Sequence, residues 1–103
     1  MSIIDLEKAA RETLRWLIIT ALNAGRPIGA SETLILSAAQ PVMRETTQRD
    51  IRRELEYLED RGLVELDGKH TGAWHAKLTH HGIDVAEYTV PCHPGIARPE
   101  KWW

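Results

Sequence analysis

Apolar residues recur at helical spacing from Asp5 to Asn23. Leu6, Ala10, Leu14, Leu17 and Ala21 form one stripe, with Ile18 and Leu22 beside it. Gly25 followed by Pro27 ends that element. Its second half is apolar on more than one face. Trp16 and Ile19 lie away from the Leu14–Leu17–Ala21 stripe, so one small core is not expected to cover them all. Ile3 and Ile4 add apolar surface just upstream.

Ser31 can cap a short second helix that reaches Ala39 and is closed by Pro41. A linker from Gln40 to Thr46 follows, longer than a tight turn of about three or four residues. Thr47, with Asp50 three positions on, makes a variant of the capping box and opens a third helix through Arg61. Ile51, Leu55 and Leu58 are its core positions, and Gly62 stands where a left-handed C-cap is expected, with Leu63 beyond it. From Leu63 the period drops to two. Val64 and Leu66 alternate with Glu65 and Asp67, then Trp74, Ala76 and Leu78 with His75 and Lys77, which predicts a hairpin around Asp67-Gly68. Thr79 can cap a last helix from His80 to about Tyr88. Pro91, Pro94 and Pro99 make Val90 to Trp103 an extended tail.

The predicted class is mainly α with a small β-hairpin, an α+β domain. It has three helices, a two-stranded wing, a C-terminal helix and an extended tail, the order of a winged helix-turn-helix. The hairpin is not stable alone and must pack on the helices. Residues 1–88 form the winged-helix domain and 89–103 an extended Pro- and Trp-containing C-terminal tail.

A length of 103 residues suits one domain, and 43% apolar content excludes intrinsic disorder as the default state. No apolar run approaches the roughly 18 residues that span a bilayer. The start Met1-Ser2-Ile3-Ile4-Asp5 has no basic region ahead of an apolar one, so no secretory signal is expected. Cys92 stands alone and cannot make an internal disulfide, which places the chain in the cytoplasm. Thirteen Lys and Arg against fifteen Asp and Glu give a net charge of −2, so net charge supplies no nonspecific pull on nucleic acid.

Two stretches carry a family resemblance. Residues 47–64, ending in Leu58-Glu59-Asp60-Arg61-Gly62-Leu63-Val64, resemble the recognition helix and first wing strand of winged-helix regulators of the MarR, PadR and ArsR class. Lys77-Leu78-Thr79-His80-His81-Gly82-Ile83-Asp84-Val85-Ala86 is similar to the start of their helix after the wing. With the first helix, the resemblance covers about residues 5 to 88. Size, N-terminal helix and Trp-ended tail also resemble small winged-helix proteins of Mu-like bacteriophages and prophages. The resemblance implies a homodimeric transcriptional regulator that puts its third helix into the major groove of double-stranded DNA.

The charges of that helix fit such a role in part. Stepping about 100° per residue from Ile51, Arg49 and Arg53 fall at about 160° and 200° and Arg52 at about 100°, all on the outward half. Arg can grip guanine bidentately or clamp a phosphate, and Gln48 can pair with adenine. Residues 44–53 carry four arginines against two acids, whereas residues 54–60 carry four acids and no base. Gln48, Arg49, Arg52 and Arg53 are therefore the candidate groove residues, and Lys69 and His70 the candidate wing contacts. Glu45–Arg49 and Arg52–Glu56 are also ordinary i,i+4 pairs that solubilise a helix. The same face therefore also fits a protein-interaction module that binds no DNA.

Other chemistry finds little support. His80-His81 and Cys92-His93 are adjacent pairs, no His-x3-His or Cys-x2-Cys spacing exists, and no metal or cofactor is expected. No nucleophile elbow, phosphate loop or positioned triad appears, so no enzymatic activity is expected. Surplus apolar surface remains. Ile3, Ile4, Trp16 and Ile19, with Trp102 and Trp103, are the expected homodimer contacts, and the tail could also take a protein partner. The competing account has the tail folding back over Trp16 and Ile19 within one chain.

Overall fold

Ser2 and Asp5 close a reciprocal capping box, at 3.1 and 3.3 Å, and start α1 (Ile3–Ala24) two residues before the apolar pattern does. The structure, a computed structural model, describes residues 2–103. Ser31 caps α2 (Glu32–Ala39) and Thr47 caps α3 (Gln48–Asp60), again with a full box to Asp50. Gly62, at φ +74°, turns the chain out of α3, a region that a side chain would strain. Strands β2 (Val64–Asp67) and β3 (His75–Leu78) pair antiparallel, with Val64 opposite Leu78 and Leu66 opposite Ala76. A single 3₁₀ turn, Lys69–Thr71, makes the wing tip between Gly68 and Gly72. Thr79 caps α4 (His80–Ala86), which is shorter than predicted.

A two-residue strand, β1 (Ala30–Ser31), joins the other edge of β3, so the sheet has three strands in the order β1-β3-β2 rather than two. The chain reaches it through Gly29 at φ +85°, where a Cβ would overlap the Ala76 carbonyl. The α2–α3 connection is an eight-residue turn structure. The N–H groups of Val42 and Met43 both donate to the Ala39 carbonyl, and that of Thr46 donates to Met43.

The core gathers Ile18, Ile19 and Leu22 of α1, Ile35 of α2, the expected Ile51, Leu55 and Leu58 of α3, and Val85 of α4. For α1 this corrects the expected phase. Leu14, Ile18, Ile19 and Leu22 face inward, while Leu17 and Ala21 sit half-exposed at the edge. The reason is Arg15. It lies inside the buried arc, where a pattern reading takes it for surface, because Glu54 of α3, itself fully buried, accepts from its Nε at 2.8 Å. Its guanidinium also stacks 3.6 Å from the centre of the Tyr57 ring. Ile19 is fully buried in its own chain and is withdrawn from the proposed dimer contacts.

The extended tail packs against the domain. Ile96 is 5% exposed and belongs to the core. The Ala97 N–H donates to the Glu12 carbonyl at 3.1 Å, Arg15 to the Gly95 carbonyl at 2.8 Å, and Arg98 to the carbonyls of Val85 and Val90. The prolines rule out helix but leave the chain free to lie along α1 and α4. Trp103 then stacks edge-on to Tyr88 at 4.9 Å, and Tyr88 edge-on to Trp16 at 5.9 Å. The tail thus covers part of its own chain, yet Trp102 remains 86% and Trp103 63% exposed. Ile3 and Ile4 are exposed as well.

Candidate nucleic-acid interface

The outward face of α3 and the wing bound an open groove lined by Gln48, Arg49, Arg52, Arg53, Glu56 and Trp74. All four candidate helix residues thus meet at one place. The Thr47–Asp50 capping box fixes where that face begins, and burial of Ile51, Leu55 and Leu58 fixes its rotation.

Most of its cations are already engaged. Glu32, at the first turn of α2 and nearly fully buried, accepts from Arg52 Nε at 2.6 Å and Nη2 at 2.8 Å. It also accepts from Gln48 Nε2 at 2.8 Å and from the Trp74 backbone N–H at 2.7 Å. Arg52 Nη2 in addition donates to the Gly72 carbonyl at 2.7 Å, and its guanidinium lies 4.9 Å from the Trp74 ring centre. The Arg52 bonds, against an opposing contribution from burial and with help from Trp74 and Gln48, hold the Glu32 carboxyl at about 2. Arg52 is raised above its ordinary value by the same pair. This cluster ties the start of α2, the middle of α3 and the wing together.

Arg53, predicted to point straight outward, bends back to Glu54 Oε2 at 2.9 Å and Asp50 at 3.4 Å. Glu54 takes Arg11 and Arg15 as well, at 3.0 and 2.8 Å. Burial is the largest influence on its carboxyl and pushes upward, but the three arginines together outweigh it and hold the group below the usual range. Lys69 of the wing reaches Glu59 at 2.9 Å and Glu56 at 3.7 Å, which raises its ammonium above the ordinary value. The acidic end of α3 therefore holds the wing's cation rather than standing apart from it.

Two candidates are exposed and, among the described residues, carry no side-chain hydrogen bond or ion pair: Arg49 in the groove and His70 at the wing tip. Arg44, in the α2–α3 connection, shares that state and was missed as a site residue. Its only sequence signal was a place in the basic half of the charge split. Trp74, which the alternation puts in the second wing strand, lies just before β3 and is the surface that Arg52 and Lys69 flank, the latter at 5.3 Å. Glu32 gave no signal at all, since its partners lie 16 to 42 residues away.

Elsewhere, the adjacent pairs His80-His81 and Cys92-His93 are brought into one contact. His81 stacks edge-on to His93 at 5.7 Å, and the His93 Nδ1 is buried without a partner. Burial, with His81 and Arg61 nearby, pushes the His93 imidazole below its ordinary value. Among the described residues no three His, Cys, Asp or Glu side chains are placed to hold a metal ion. No helix among them is long and apolar enough to cross a membrane.

A scan against family models finds no match, and a search of curated proteins finds none. The chain is similar to a solved crystal structure from Ralstonia eutropha JMP134, of a protein provisionally described as DNA-binding. The identity is 28% and the TM-score 0.60, over 76% of this chain and 95% of that one. The architecture shown is a mixed α+β domain of four helices and a three-stranded antiparallel sheet, compatible with a winged helix.

Proposed function

We propose that this chain is a homodimeric winged-helix DNA-binding protein, a cytoplasmic transcriptional regulator of the kind carried by Mu-like phages, and not an enzyme. The observation that carries this reading is Arg49. Among the described residues its side chain has no partner, and it stands at the outward, N-terminal part of α3, in the groove between that helix and the wing. A winged helix presents this part of its third helix to the major groove. The similar Ralstonia protein, provisionally described as DNA-binding, supports the same reading. Arg49 is the base- or phosphate-contacting residue, Arg44 and His70 are auxiliary backbone contacts, and Arg52 and Gln48 set the wing's position from inside the Glu32 cluster. Arg53 and Lys69 reach DNA only after exchanging their carboxylate partners.

Fluorescence anisotropy with mixed-sequence duplex DNA, at low and moderate salt, tests the reading. Each phosphate contact adds roughly 0.9 to the log–log salt slope. With few free cations per protomer, binding is expected with a shallow slope. Absence of binding at low salt refutes it.

A second reading has its own support. With Gln48, Arg52, Arg53 and Lys69 all engaged internally and a net charge of −2, the face also fits a protein-interaction module. That reading gains if duplex DNA fails to bind while the protein stays folded.

A further inference from the structure

We infer that the outer face of α1 is the seam of an antiparallel homodimer, the helices of two copies pairing about a two-fold axis near residues 11 and 12. The inference rests on the homodimer reading above and specifies its surface and direction.

The buried arc of α1 is set by Leu14, Ile18, Ile19 and Leu22. On the opposite side, Ile3, Leu6, Ala10, Thr13, Leu17 and Thr20 fall within about 100° of one another at 100° per residue. Their spacings alternate three and four, which is the seam of a heptad repeat. None is charged. All are exposed except Leu17, which is half-exposed, so the domain leaves this strip uncovered along the helix. A straight repeat of this kind fits a second helix laid alongside, knobs into holes. Another copy of α1 supplies one with the same repeat. Glu7 is the one charged residue at the flanking positions and meets no like charge there.

The layers favour the antiparallel direction. With the axis near residues 11 and 12, Leu6 of one copy faces Leu17 of the other, Ala10 faces Thr13, and Ile3 faces Thr20. Each layer then has enough volume, and the small residues at the centre let the helices close together. A parallel pair stacks Ala10 on Ala10 next to Leu6 on Leu6, alternating narrow and wide layers. Burial points the same way. The N-terminal half of α1 has no buried residue before Leu14. Antiparallel pairing lays that unsupported half against the half that the second copy's domain holds firm.

The exposed apolar area supplies a large part of what a dimer needs. A standard interface takes about 800 Å² from each partner, roughly an eighth of this chain's 6596 Å². Trp16, which flanks the seam, continues through Tyr88 to Trp103 and Trp102. At up to ~250 Å² per indole, the two tail tryptophans, 86% and 63% exposed, hold close to half of that need, and Ile3 and Leu6 add to it.

Sedimentation of the full-length chain beside Thr13→Glu is the test, with circular dichroism and thermal melting as a check on the fold. The wild type is expected at twice its 11.7 kDa chain mass. The variant is expected at once that mass with an unchanged dichroism spectrum and cooperative melting, since Thr13 is exposed. A monomeric wild type overturns the dimer reading and the seam with it. A dimer that Thr13→Glu leaves intact overturns the seam alone. Direction is read in a Cys92→Ser background by mild oxidation. Leu6→Cys with Leu17→Cys is expected to give a covalent dimer, and neither substitution alone, because like positions at residue 6 lie about 16 Å apart along the axis. A covalent dimer from Leu6→Cys alone refutes the antiparallel arrangement.

Discussion

Arg52 of α3 and Glu32 of α2 meet in a two-bond ion pair, Nε to Oε1 at 2.6 Å and Nη2 to Oε2 at 2.8 Å, with the carboxylate nearly fully buried. The same carboxylate receives the Trp74 N–H, so the pair links the second helix, the third helix and the wing. An arginine in that position is a fastening of the groove wall before it is a reader of what enters the groove.

Arg49 and Arg52 should therefore separate on mutation. Arg49→Ala is expected to weaken DNA binding by about 1–3 kcal/mol and leave stability unchanged, because its side chain is exposed and has no partner among the described residues. Arg52→Ala leaves Glu32 buried with its main partner gone, and a stability loss of roughly 3 kcal/mol is expected in urea titration. Equal stability of the two variants would show that the pair does not hold the wing.

The Glu32 pair also fixes a pH dependence. Its carboxyl is held at about 2 in the folded chain, below the ordinary 4.5. A depressed folded value contributes stability in full above 4.5 that is lost as pH falls toward 2. The contribution is at most about 3 kcal/mol. Glu32→Gln should cost stability at neutral pH, and the gap between variant and wild type should close between about pH 5 and pH 2. A gap that stays constant over that window would contradict the assignment.

Leu55→Ala and Leu58→Ala are each expected to cost roughly 2–5 kcal/mol, since both are fully buried between α3 and its neighbours. Chemical denaturation measures this, and losses below about 1 kcal/mol in both would contradict the burial.

Ile96→Ala is expected to cost a similar ~2–5 kcal/mol, a large loss for a residue in a proline-rich tail. Ile96 is a core residue, and the Ala97 and Arg98 bonds that seat the tail flank it. A loss near zero would show that the tail is merely laid on the surface.

Much of this architecture was legible residue by residue. Ser31, Thr47 and Thr79 cap helices where a hydroxyl precedes an apolar repeat, and Gly62 ends α3 because only a few neighbouring atoms decide its φ. The outward placement of Arg49 followed from Ile51, Leu55 and Leu58 alone. Legibility failed where a charge changed sides. Arg15 and Glu54, 39 positions apart, are each surface residues by type. Only together, with Tyr57 under the guanidinium, do they become interior, and that pairing rotated α1 from its expected phase.

The sequence by itself determined the order of the four helices and the two wing strands, the starts of α2, α3 and α4, the alternation of the wing strands and the core face of α3. These depend on hydrogen bonds and side-chain periodicities confined to a few residues. Tertiary structure alone decided that Ala30–Ser31 joins β3, that Ile96 enters the core, and that Arg52 and Gln48 bind Glu32. Each of these requires groups distant in the chain to meet. Whether a buried charge or an unpaired strand edge is stable depends on the partner that the fold delivers, and no local window of the sequence contains that partner.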